Sequence, residues 1–133
     1  MVKLFIADDN KAFRKRMASV LAGIEGIEIA GQAGEVSEAI KSIDRTAPDV
    51  IILDIHMPGG SGLDVLKTVK LSLHPPLVMM LTVGPGTEYR EKCLAMGADY
   101  FFEKSSDLKK IMMILAKLVK RAEHPDLNKK NTN

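Results

Sequence analysis

Tryptophan is absent from the chain, and cysteine occurs once, at Cys93. A lone cysteine excludes an internal disulfide framework. Its place in a helical pattern reads as a small core residue in a reducing compartment. Aromatics make up only 5% of the residues, so any core is aliphatic, built from Ile, Leu, Val, Met and Ala. No apolar run approaches the length of a membrane span, and no signal peptide is visible, which makes the cytoplasm the expected location. A net charge of +2 is too small to argue for nucleic acid by itself. The three histidines, His56, His74 and His124, are scattered and give no zinc spacing. No internal repeat is visible.

What is present is ordinary for one globular domain: 133 residues, 46% hydrophobic and 27% charged. Short apolar runs alternate with helical patterns. The runs at 4–7 (LFIA), 50–53 (VIIL) and 77–81 (LVMML) are nearly continuous, as in parallel strands covered on both faces. The run at 27–31 (IEIAG) alternates, which suits an edge strand, and 99–102 (DYFF) is a fifth.

Between them lie amphipathic stripes. Phe13, Met17, Val20 and Leu21 form the first, Val36, Ala39, Ile40 and Ile43 the second, and Leu63, Leu66 and Val69 the third. A fourth helix is expected from Thr87 to Met96, stopped by Gly97. The fifth stripe holds Leu108, Ile111, Met112, Leu115, Leu118 and Val119. Asn10 is the expected cap of the first helix, and Ser105 or Ser106 of the fifth. Met113 falls on the basic side of that last helix, among Lys109, Lys110, Lys117 and Lys120. The tail from Glu123 is polar and aperiodic and reads as disordered.

Five β-α units in succession imply a doubly wound parallel α/β sheet. Such sheets bind ligands beyond the carboxyl ends of their strands. Strand 1 ends in Asp8 and Asp9, strand 3 in Asp54, strand 4 in Thr82 and strand 5 in Glu103 and Lys104. Asp49 and Asp99 begin strands and belong to the opposite end. An acid at one strand end is most often a cap or a solvated turn. Several at a single edge are another matter. Clustered carboxylates cannot all stay ionised without a cation, and hard oxygen ligands suit Mg²⁺ or Mn²⁺. The backbone carbonyl of His56, in the loop after Asp54, is within reach of the same ion. A carboxylate beside such an ion can act as a nucleophile toward phosphorus.

At these residues the sequence resembles the response-regulator receiver domains of two-component signalling. The likeness rests on IADDN (6–10), DVIILDIHMPGGSG (49–62), MMLT (79–82) and GADYFFEK (97–104), in that order and spacing. It implies a flavodoxin-like (βα)5 fold with strand order 2-1-3-4-5, a receiver domain over residues 1–122 and a tail over 123–133. It implies that Asp54 is phosphorylated from a phosphohistidine on a histidine kinase or a phosphotransfer protein, that Asp8, Asp9, Asp54 and the His56 carbonyl bind Mg²⁺, and that Thr82 and Lys104 sense the phosphoryl group. Phe101 stands where the family keeps its switch aromatic. By likeness it reshapes the face made by the fourth helix, fifth strand and fifth helix, where an output partner is expected. Such a protein is no ordinary enzyme, though it catalyses its own phosphorylation and dephosphorylation, and a monomer or weak dimer is expected. With no recognition helix in view, direct DNA binding is not expected.

Some positions depart from the family pattern. Ser105 follows Lys104 where many members have proline, which leaves open whether that peptide bond is cis, a state costing about 3 kcal/mol without proline. Val83 follows Thr82 where a smaller residue is usual, and is expected to narrow access to the phosphate. The loop at 83–89 (VGPGTEY) is expected to be mobile. Three other readings compete: a Mg²⁺-dependent phosphatase with an aspartate nucleophile, a flavin-binding fold, which wants a hydroxyl- and glycine-rich phosphate loop where Asp8 and Asp9 stand, and a degenerate receiver used only for binding. The phosphatase reading wants a second acid where His56 stands. The degenerate one conflicts with the full set Asp8, Asp9, Asp54, Thr82 and Lys104.

Overall fold

The computed structural model describes residues 1–83 and 87–124. Five strands alternate with five helices: β1 (Val2–Ala7), α1 (Lys11–Ala22), β2 (Ile27–Ala33), α2 (Val36–Thr46), β3 (Val50–Asp54), α3 (Gly62–Val69), β4 (Leu77–Thr82), α4 (Thr87–Ala95), β5 (Tyr100–Glu103) and α5 (Leu108–Glu123). All pairings are parallel, in the order β2-β1-β3-β4-β5. This is the doubly wound sheet expected from the sequence, with β2 on an edge. The chain reverses its winding at β1, so the crevice of the fold opens at the carboxyl ends of β1 and β3.

Strand alternation sorts the core into two layers. Phe5, Ala7, Ile51, Leu53, Val78 and Met80 pack with α2, α3 and α4. Leu4, Ile6, Val50, Ile52, Met79, Leu81 and Phe102 pack with α1 and α5. Burial of each such side chain contributes about 1.5–3 kcal/mol, and the central strands are apolar on both sides for that reason. The β1–β2 register slips between Leu4 and Phe5. There Gly31 makes room for an aromatic ring: a β-carbon would stand 2.9 Å from Phe5 Cε2.

Asn10 caps α1 as expected, its side chain accepting from Phe13 N at 3.0 Å. Gly97, at φ 104°, follows α4, which ends at Ala95, one residue before the expected Met96. Cys93 is fully buried on that helix, and burial pushes its thiol pKa up against the weaker opposing pull of Lys92.

Three sequence expectations are corrected. Val20 is 37% exposed, at the margin of its stripe, whereas Ala18 on the same helix is buried. Leu108 likewise stands at the exposed margin of its stripe. Neither Ser105 nor Ser106 occupies the N-cap of α5; Asp107 does, without a side-chain cap bond. Its carboxylate instead accepts from Glu103 N at 2.8 Å, closing the turn after β5. No cis peptide occurs among the described residues, so Lys104–Ser105 is trans. The loop at Gly84–Gly86 and the tail from Pro125 lie outside the described residues.

Candidate active site

Asp8 follows β1, Asp54 closes β3 and Lys104 follows β5. Each stands two residues beyond a side chain of the α1–α5 layer: Ile6, Ile52 and Phe102. The two-residue period of the strands therefore carries all three to one side of the carboxyl edge. One carboxylate oxygen from each of Asp8, Asp9 and Asp54 lies within 4.8 Å of the others. Asp8 and Asp54 are buried, and Asp9 is exposed.

Local structure fixes both loops that present these acids. After β1, Asp8 Oδ1 accepts from Asn10 N at 2.9 Å, and Arg14 Nη1 donates to the Asp8 carbonyl at 2.6 Å. After β3, Gly62 N donates to Ile55 O at 2.7 Å, folding the loop back on the strand. A β-carbon on Gly62 would stand 2.0 Å from the Asp54 carbonyl oxygen, so only glycine permits this approach. Ser61 then caps α3 by accepting from Leu63 N at 3.0 Å, while Asp64 accepts from Ser61 N at 2.9 Å, a reciprocal box.

Lys104 brings the cation expected from the sequence. Its ammonium lies 2.5 Å from Asp8 Oδ2 and 3.3 Å from Asp54 Oδ2. Burial alone would lower the lysine pKa, but Asp8 and Asp54 outweigh it and raise it. Asp54 is pushed up to about 6, by burial first and by the charge of Asp8 second, against the opposing pull of Lys104. The His56 backbone N–H reaches Asp54 Oδ1 only at 3.4 Å. One ammonium thus serves the two buried carboxylates, with exposed Asp9 beside them. Apart from its ion pair with Lys104, buried Asp8 Oδ2 has no hydrogen-bond partner. Three carboxylate oxygens within 4.8 Å of one another, with a single ammonium against two of the groups, make a donor set that fits a hard divalent cation.

The other expected residues lie around this centre. Thr82 is buried at the end of β4, one residue past Leu81, which pairs with Asp54. Phe101 is half-buried and packs into the α2–α3–α4 layer with Tyr89 and Met96. The His56 side chain is exposed, its ring edge-on to Tyr89 at 5.7 Å between centroids. Val83 is 73% exposed. Three contributors were not anticipated: Phe13, whose ring lies 4.7 Å from the Lys104 ammonium, Arg14, and Gly62. For Gly62 a signal existed, the glycine-rich interruption after Asp54. For Phe13 none did, because its stripe reads as plain core.

Comparison with known proteins agrees with this geometry. A family model described as the response regulator receiver domain matches residues 4–116. The response regulator GacA of Pseudomonas syringae is 29% identical over 116 residues, covering 86% of this chain and 54% of that protein. A protein-glutamate methylesterase/protein-glutamine glutaminase of Carboxydothermus hydrogenoformans is 35% identical over 121 residues, covering 90% of this chain and 36% of the relative. The chain therefore spans about half or less of the length of these curated relatives. Among solved structures, a LuxR-family DNA-binding response regulator from Staphylococcus aureus superposes with a TM-score of 0.81 at 27% identity, covering 90% of this chain and 99% of that one. The receiver domain of the Francisella response regulator 1452 gives 0.80 at 25% identity, covering 92% and 99%. The acid pocket opens at the carboxyl edge of a sheet that these proteins share, and the matched region takes in every residue of it: this chain belongs to the response regulator receiver domain family.

Proposed function

We propose that the chain is a phosphoacceptor switch in which Asp54 takes a phosphoryl group from a phosphohistidine. The observation that carries this is the convergence of Asp8, Asp9 and Asp54 at the carboxyl edge of the sheet, with the Lys104 ammonium against Asp8 and Asp54. An Asp54 carboxylate oxygen attacks phosphorus. The P–N bond to the donor imidazole breaks, its electrons leave with the ring nitrogen, and an acyl phosphate forms. Asp8, Asp9, Asp54 and the His56 carbonyl hold Mg²⁺, or Mn²⁺. A divalent cation bound there supplies charge neutralisation for the acid cluster and for the incoming phosphoryl oxygens. Lys104 carries a second positive charge to the phosphoryl group, and the Thr82 hydroxyl donates to it. Water attack on phosphorus reverses the modification, so the domain catalyses both directions on itself.

The readout is the α4–β5–α5 face. Thr82 drawn toward the phosphoryl group leaves space that half-buried Phe101 turns into, repacking it against α4. An output partner then docks on this face, where Met113 is 61% exposed among lysines. The donor is a histidine kinase or a histidine phosphotransfer protein, and the setting is the cytoplasm. The receiver unit, expected to end at 122, takes in Glu123 as well, the last residue of α5. The phosphatase reading is not favoured, because the exposed His56 supplies no second carboxylate. Acetyl phosphate with and without Mg²⁺, read by intact mass and size-exclusion, tests the proposal. A Mg²⁺-dependent phosphoryl adduct is expected; no adduct under either condition contradicts it.

A further inference from the structure

We propose that Phe13 is a positioning residue for Lys104: its ring closes the third side of the ammonium's socket and keeps the charge aimed at Asp54. This rests on the reading of Asp54 as phosphoacceptor.

A lysine ammonium has three N–H donors on a flexible four-carbon stem. Two sides of the Lys104 ammonium meet carboxylates, Asp8 Oδ2 at 2.5 Å and Asp54 Oδ2 at 3.3 Å. The same ammonium stands over the Phe13 ring, whose centroid is 4.7 Å from Nζ. That lies inside the range at which a cation is attracted to the negative face of an aromatic ring. The site is dry enough for the attraction to count, because the Lys104 side chain is only 12% exposed.

The ring is fixed in place by the turn that bears the acids. Phe13 N donates to the Asn10 side chain, and Asn10 N donates to Asp8. Socket and acid cluster are therefore built on the same few residues. An aliphatic side chain at this position would fill the space with no pull on a cation. The ammonium would exchange the ring for water and swing on its stem. In the reaction the phosphoryl oxygens must find that charge already placed, since a charge that reorganises during transfer stabilises the transition state less. Phe13 and Lys104 both line a cavity of about 330 Å³ between α1 and α5, with Met17, Val20, Leu108 and Ile111. This gives a tyrosine hydroxyl room at the ring's edge.

Three variants, Phe13→Leu, Phe13→Tyr and Lys104→Ala, test the proposal. In NMR spectra the Lys104 ε-methylene protons are expected upfield through the ring current in wild type and Phe13→Tyr, and near ordinary lysine values in Phe13→Leu. Labelling of Asp54 by acetyl phosphate with Mg²⁺ is expected to slow about three- to tenfold in Phe13→Leu and to stay near wild type in Phe13→Tyr. In the Lys104→Ala background Phe13→Leu should cause no further slowing, because the two residues act as one unit. If Phe13→Leu does not fold, Phe13→Met replaces it with the same expectations. Wild-type rates in Phe13→Leu, equal slowing in Phe13→Tyr, or undiminished slowing without Lys104 each overturn the proposal. A wild type that takes no label refutes the phosphoacceptor reading instead; the ring-current shift, present or absent, then decides the socket.

Discussion

The Lys104 ammonium stands against two buried carboxylates, 2.5 Å from Asp8 and 3.3 Å from Asp54, at the ends of three different strands. It is the cation that lets these acids coexist in the metal-free protein. Removing it should be costly. Lys104→Ala leaves Asp8 and Asp54 facing each other unpaired, and breaking such a buried pair costs about 3 kcal/mol. Urea unfolding near neutral pH without metal is expected to show that loss, and added Mg²⁺ to recover part of it. An unchanged midpoint would mean that the pair is solvated and carries no weight.

Asp54 gives the opposite sign. Burial, and then the charge of Asp8, push its carboxyl pKa up to about 6 in the folded protein, against an ordinary 3.8. The folded state therefore holds the proton more tightly than the unfolded chain. This contribution to stability falls as pH rises from about 4 to about 6, and the full penalty persists above that window. Asp54→Asn should raise metal-free stability by about 1–3 kcal/mol near pH 8 and leave it unchanged near pH 4. It should also weaken stabilisation by Mg²⁺. Denaturant curves at the two pH values check this, and a variant less stable than wild type near pH 8 would contradict the clustered-acid picture.

The β3–α3 loop makes a purely steric prediction. Gly62→Ala places a β-carbon 2.0 Å from the Asp54 carbonyl oxygen, which is backbone and cannot step aside. Unlike a crowded core side chain, this contact has no alternative rotamer, so the loss should be about 3 kcal/mol or more. Thermal unfolding checks it, and Gly59→Ala, whose β-carbon meets nothing closer than 4.0 Å but whose φ is 85°, should cost less.

Much of the site was legible before the fold was known, because it follows from strand ends. Asp8, Asp9, Asp54, Thr82 and Lys104 close apolar runs, whereas Asp49 and Asp99 open them, and a parallel sheet places all closers on one edge. Asp49 and Asp99 do sit at the other end, where they accept from Lys3 N and Val78 N. What stayed hidden depends on contacts between elements. A stripe at helical spacing does not fix where its edge falls, and on α1 Ala18 is buried while Val20 is not. The Asp107 cap depends on a turn closed through Glu103. Arg14 stands with Lys11 and Lys15 at the basic start of α1, yet unlike them it is half-buried and bonded to the Asp8 carbonyl.

That bond separates the three basic residues by experiment. Arg14→Ala removes a charged donor from the turn carrying Asp8 and should destabilise by about 1.5–3 kcal/mol. Lys11→Glu and Lys15→Glu are surface changes and should shift stability by less than about 0.5 kcal/mol. If these two lysines steer an acidic phosphodonor, their reversal should slow its association at low salt and lose that effect at high salt. Stopped-flow association with the phosphodonor distinguishes the cases. A rate indifferent to both charge and salt would remove the steering role.

The most direct test is where the phosphoryl group goes. Wild type and Asp54→Asn are incubated with acetyl phosphate and Mg²⁺, then mapped by peptide mass. The account predicts one phosphoryl group on Asp54 in wild type and none in the variant. Labelling that persists undiminished in Asp54→Asn would contradict it.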